Sequence, residues 1–167
     1  ERLRAQLEQV ANDLGGEVLP DEALLDINTF MVEWPTAFAG SYDARFHDLP
    51  NEVIISALRE HQSFFTVQAP GSGGAVLLDK FIAVRNGGER GLDVIRKGNE
   101  GVLAARLEDA EFYWQTDLKR PPADRVEDLK SVVWMEGLGS LREKAARLVA
   151  LGGRLAETMA PAEKAAV

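Results

Sequence analysis

Residues 63–86, SFFTVQAPGSGGAVLLDKFIAVRN, hold two runs rich in β-branched and aromatic residues on either side of a glycine-rich turn. That pattern is a β-hairpin, and it commits the chain to an antiparallel sheet. Apolar spacing on both sides of it has the helical period. Leu3, Leu7, Val10 and Leu14 form one helical stripe that Gly15-Gly16 ends. Pro20-Asp21 opens a second helix, with Leu24, Leu25, Ile27 and Val32 apolar and Pro35 as its stop. TAFAGSY reads as a short strand ending near Gly40-Ser41, and Asn51 as the cap of a helix over EVIISALREHQ.

Beyond the hairpin, GGERG breaks the chain, and Leu92 to about Lys119 reads as helix with interruptions near Gly98 and Gly101. Pro121-Pro122 stops it, and ADRVEDLKSVVW predicts a further short helix. Ser140-Leu-Arg-Glu143 is a capping box. The helix it opens carries Leu141, Ala145, Leu148, Gly152, Leu155 and Met159 at alternating spacings of four and three, a coiled-coil-like seam. Glu1 reads at once as mid-helix and APAEKAAV trails off in small residues, so an excised fragment is expected. The fold class expected is α+β: a small, hairpin-containing antiparallel sheet packed by helices, then a long C-terminal helix.

Charge and inventory exclude several functions. At 167 residues and a net charge of −8 the chain is no basic nucleic-acid-binding domain, since phosphate binding needs Lys and Arg to displace counterions. The charge is uneven: residues 1–34 hold eight acidic and two basic side chains, residues 140–167 three acidic and five basic. With no cysteine, disulfides, thiolate metal sites and cysteine nucleophiles are excluded. No apolar run approaches the ~20 residues that span a bilayer and no signal peptide precedes the first helix, so a cytoplasmic location is expected.

RFHDLPNEV, residues 45–53, places His47 beside Asp48, as in one class of metal phosphohydrolase. Such a site needs another histidine and another carboxylate on the same ion. The remaining histidine, His61, lies in a polar run near the end of the next helix. His47-Asp48 therefore reads as polar residues at a helix boundary. PGSGG lacks the Lys-Ser/Thr of a phosphate loop and precedes a strand, so it reads as a flexible turn. Glu108-Asp109 and Asp109-Glu111 read as a solvated helix face. Residues 97–120 are different, because Lys97, Arg106, Lys119 and Arg120 are interleaved with Phe112, Tyr113 and Trp114. Cations beside aromatics can hold a phosphate backbone and stack on an unpaired base, although composition alone favours Phe112 and one neighbour packed in the core with the charges solvated.

Six blocks in this order carry a resemblance: VEWP (32–35), LPNEVI (49–54), HQSFF, FIAVRN (81–86), GNEGVLAARLEDAEFYWQTD (98–117) and LGSLREKAARL (138–148). Together they resemble the beta subunit of the bacterial two-subunit glycyl-tRNA synthetase, over about residues 1–160. The resemblance implies an α2β2 ligase that joins glycine to tRNA(Gly) with ATP. It places ATP and magnesium at the alpha subunit, with no cofactor in this fragment, and gives tRNA binding and positioning to the beta subunit. It implies residues 1–34 as N-terminal helices and 35–133 as a region similar to the B3/B4 module of phenylalanyl-tRNA synthetases. Residues 134–167 then form a linker and the truncated entry helix of an HD-like domain. Partners so implied are tRNA(Gly), the alpha subunit and the remaining beta-subunit domains, with no membrane. Asn99 and Glu100 would cap and order their helix. Arg106, Lys119 and Arg120, with Lys97, would touch phosphates, and no residue here would be catalytic. The alternative is a purely structural scaffold that touches no RNA.

Overall fold

The computed structural model describes residues 1–159 and divides into two compact units, Glu1–Trp114 and the segment from Gln115 onward. The small-residue tail lies outside the described residues. In the first unit α1 (Arg2–Asp13), β1 (Glu17–Val18), α2 (Glu22–Met31) and β2 (Pro35–Ser41) come first. A 3-10 turn (Ala44–Asp48), α3 (Asn51–Gln62), β3 (Phe65–Gln68), β4 (Leu77–Asn86) and α4 (Leu92–Leu118) follow. The strands form one antiparallel sheet in the order β1-β3-β4-β2.

Strand alternation decides what covers each face of this sheet. Phe81 and Ala83 of β4 enter a core with Phe38, Phe46, Ile54, Leu58, Phe64, Leu103 and Leu107, so α3 and α4 cover that side. Ile82 points the other way, into a core with Leu3, Leu7, Ala11, Leu24, Phe65 and Val67, where α1 and α2 lie. A strand buried on both faces reads as a nearly continuous apolar run, which is the character of FIAV.

The helix ends follow local chemistry. Gly15 adopts φ 73° after α1, its amide donates to the Asn12 carbonyl and that of Gly16 to the Ala11 carbonyl, a Schellman ending. The Asp21 carboxylate caps α2 by accepting from the Leu24 amide at 2.8 Å, and pairs with the Arg59 guanidinium at 2.5 Å. Burial alone raises this carboxyl's pKa; the Arg59 and Leu24 hydrogen bonds outweigh that and hold it below its ordinary value. A carboxylate depressed by folding contributes stability that is whole above its unfolded pKa and is lost as pH falls through the folded one. The urea midpoint of the native chain is therefore expected to fall between pH 5 and pH 2 by more than that of Asp21→Asn. The variant keeps the cap but has no carboxylate to protonate.

Two expectations for this unit are corrected. Asn51 does not cap α3, because Pro50 holds the cap position. The Asn51 amide instead donates to the Gly74 and Ala75 carbonyls at 3.0 and 3.1 Å, and the Gln68 side chain accepts from the Gly74 amide. The glycine-rich turn is thus pinned from two sides. α4 also runs unbroken through Gly98 and Gly101, where an added Cβ would meet nothing within 4 Å. Each glycine costs a helix about 1 kcal/mol. Burial of Leu103 and Leu107 on the opposite side outweighs it.

Asn99 and Glu100 consequently sit mid-helix. Glu100 serves the sheet: its carboxylate accepts from the Ser41 amide at 2.9 Å and the Ser41 hydroxyl at 3.1 Å. One turn earlier, Arg96 donates to the Ala39 carbonyl at 2.7 Å. Gln6 of α1 donates to the Pro35 carbonyl and accepts from the Ala37 amide. These three side chains occupy backbone groups along the outer edge of β2, which would otherwise offer a template to another strand.

In the second unit, Pro122–Ser131 forms a 3-10 run and Val133–Met135 (β5) pairs antiparallel with Gly139–Ser140 (β6). The short helix expected over ADRVEDLKSVVW forms as this 3-10 run as far as Ser131, and its last residues, Val133-Trp134, belong to β5 instead. The β-branched Val132-Val133 favours extension at its end. The capping box forms as expected: the Ser140 amide donates to Glu143 at 2.7 Å and the Glu143 amide to the Ser140 hydroxyl at 3.3 Å. It opens α5 (Leu141–Met159), where Ala156 alone of the described residues is buried. The seam is covered only in part, with Leu148, Leu155 and Met159 exposed.

Candidate functional site

The inward side of α4 is set by Leu92, Ile95, Leu103, Leu107 and Ala110, all packed on the core under α3. That choice orients the basic residues. Lys97 and Arg106 stand nine residues apart, about 180° around the helix, so they lie on opposite sides of α4. Both are exposed, and neither makes an ion pair or side-chain hydrogen bond among the described residues. Of the carboxylates nearby, Glu108 and Glu111 pair with Arg45 at 3.1 and 3.9 Å, while Glu52 and Asp109, which line the same groove as Arg106, make no ion pair among the described residues.

Arg106 faces a groove of about 450 Å³ between α3 and α4. Val53, Ala57 and Ala110 line it with apolar atoms, and His61, Tyr113 and Asp109 bring polar ones. Arg106, Asp109, Ala110 and Tyr113 recur at three, one and three residues, one helical side. A free guanidinium, an exposed phenol ring and an imidazole are thereby brought to one concave surface. Phe112 packs edge-on against Tyr113, with centroids 5.5 Å apart, and is itself exposed. The groove was legible only as the spacing of Arg106 and Tyr113. Its other wall, from Glu52 to His61, needed the packing of α3 to appear.

In the second unit the remaining candidates differ in what they can offer. Lys119 is exposed and makes no ion pair or side-chain hydrogen bond among the described residues. Arg120 is held by Asp128 at 2.5 Å and by the Asp124 carbonyl. His47 and Asp48 end the 3-10 turn before α3 and are exposed, and His47 stands beside Tyr42 with ring centroids 5.8 Å apart. Among the described residues no group of three or more His, Asp or Glu side chains is placed to hold a metal ion. No helix among them is long and apolar enough to cross a membrane.

Comparison with known proteins settles the lineage. The family model described as "Glycyl-tRNA synthetase beta subunit" matches residues 1–167. The chain belongs to this family. The glycine–tRNA ligase beta subunit of Desulforamulus reducens is 45% identical over 159 residues, 95% of this chain and 22% of that protein. That of Geotalea daltonii is 44% identical over 167 residues, all of this chain and 24% of the relative. That of Clostridioides difficile is 43% identical over 159 residues, again 22% of the relative. The chain thus spans about a quarter of the length of the curated relatives it matches. Within this family member four of the six motif blocks have distinct structural jobs. VEWP leads from α2 into β2, LPNEVI opens α3, FIAVRN is the core of β4, and GNEGVLAARLEDAEFYWQTD is most of α4.

Proposed function

We propose that this chain is the part of a glycine–tRNA ligase beta subunit that binds and positions tRNA(Gly), while the alpha subunit performs the ATP-dependent glycylation. The support is the family together with one local arrangement, the unpaired Arg106 guanidinium beside the exposed Tyr113 ring in the α3/α4 groove. The guanidinium can take a phosphate and the ring can stack on an unpaired base, neither of which needs sequence-specific readout. Lys97, on the other side of α4, and Lys119 and Arg120, in the second unit, are further candidate phosphate contacts outside this groove, Arg120 only on release from Asp128. Catalysis is gained by position: binding energy gathered on the tRNA lowers the entropic part of a barrier crossed on another subunit. No residue of this chain is assigned a bond-making role, and the complex works in the cytoplasm.

Fluorescence anisotropy of the 167-residue chain with tRNA(Gly), across a salt series, tests this reading. Affinity is expected to fall with salt, and Arg106→Gln to weaken it about tenfold and flatten the log–log slope by about 0.7–0.9. Tyr113→Ala is expected to lose affinity with no change in slope, since stacking releases no counterion. A second reading, a scaffold without RNA contact, draws on the net charge of −8 and the exposed apolar residues of α5. No binding of tRNA(Gly) across the salt series, with Arg106→Gln indistinguishable from the native chain, would favour the scaffold instead.

A further inference from the structure

The strongest unexplained surface lies on α2, away from the α3/α4 groove in sequence and carried by other residues. Its inward side is committed by Leu24, Leu25 and the buried Asn28, whose amide donates to the Leu24 and Ser63 carbonyls. Ile27, Phe30 and Met31 are left on the outward side, at spacings of three and one. They are 47%, 85% and 66% exposed, and Trp34, three residues further on, is 55% exposed. Adjacent exposed apolar side chains of this kind mark protein contacts.

The charge around the stripe selects the occupant. Residues 21–34 hold Asp21, Glu22, Asp26 and Glu33 and no lysine or arginine. Glu22 pairs with Arg4 at 2.6 Å and Asp21 with Arg59, which leaves Asp26 and Glu33 as the uncompensated carboxylates, Glu33 also accepting from the Asn86 side-chain amide. Among the described residues the one cation left near the stripe is Arg2, 4.2 Å from the Trp34 ring centroid at its far end. Asp26, one residue before Ile27 and one turn before Phe30, is exposed beside the stripe. A second copy docked two-fold on this face would bring the same carboxylates against each other. Polynucleotide phosphates and anionic lipid headgroups meet the same repulsion.

We infer that the outward face of α2 docks an amphipathic helix of a protein partner, apolar along its centre and rimmed by lysine and arginine. Phe30 is the central anchor, Ile27 and Met31 flank it, and Asp26 and Glu33 meet the basic rim. The face is separate from the RNA-binding reading, so either stands if the other fails.

Two fluorescein-labelled synthetic helical peptides with the same leucine stripe, one rimmed by lysine and one by glutamate, make the test with the 167-residue chain. The lysine-rimmed peptide is expected to bind at least tenfold more tightly than its counterpart. Phe30→Ser is expected to weaken that binding about tenfold with an unchanged circular-dichroism melt, because the side chain is exposed. Asp26→Lys is expected to narrow the preference between the two peptides. Equal binding by Phe30→Ser would reduce the effect to charge adhesion and overturn the inference, as would no binding of either peptide. So would sedimentation showing a dimer of this chain that Phe30→Ser dissociates.

Discussion

Phe81→Ala is expected to lower the unfolding free energy of the first unit by about 3–5 kcal/mol, the range for deleting a buried phenyl ring. Phe81 is fully buried in the central strand and stacks on Phe64, with ring centroids 4.6 Å apart and planes 11° apart. Its neighbours belong to β2, β3, α3 and α4, so the cavity cannot collapse by moving one side chain. The measurement is the urea midpoint followed by far-ultraviolet circular dichroism. A loss below about 1 kcal/mol would mean that the β4 core is not packed around this ring.

Gly40→Ala is expected to cost about 1–3 kcal/mol, the range for overpacking, although the backbone there is not in the left-handed region. Gly40 is the cross-strand partner of Phe81, whose ring lies over it. A Cβ at position 40 would stand 2.3 Å from the ring's Cζ and under 3 Å from both Cε atoms. Trimming the ring should therefore relieve the clash. Phe81→Leu combined with Gly40→Ala is expected to be less destabilised than the sum of the two, by about 0.5 kcal/mol or more. Simple additivity would show that the glycine is there for some reason other than the phenyl ring.

Together these residues explain where the candidate functions lie. Gly40 lets Phe81 close the core under α4, and Arg96 and Glu100 then fasten α4 to the free edge of β2. Once α4 is held in that rotation, Arg106 and Tyr113 have to face α3, and Lys97 has to face away. The cationic helix is thus divided by the packing that orients it. The acid-rich N-terminal helices cover the other face of the sheet, and α2 turns its surplus apolar residues outward.

Much of this was open to reading before any coordinates. The hairpin, the Gly15 helix ending, the strand ending at Ser41 and the Ser140–Glu143 capping box are local. Each depends on turn conformation, capping geometry or side-chain period within a few residues. The six ordered blocks likewise pointed to the family that comparison then showed. The misreadings have the opposite character. Gly98 and Gly101 look like helix breakers, but buried leucines elsewhere on α4 override a local propensity. Asn51 looks like a cap, but a turn more than twenty residues away claims its amide.

By itself, then, the order of residues determined the elements, most of their ends and the lineage, because those are consequences of short-range stereochemistry and of ordered motif blocks. Only the tertiary structure decided which side of each helix is free. That choice follows from the competition among distant apolar groups for a limited buried volume, and the rotation it imposes on α2 and α4 selects the residues left to meet a partner.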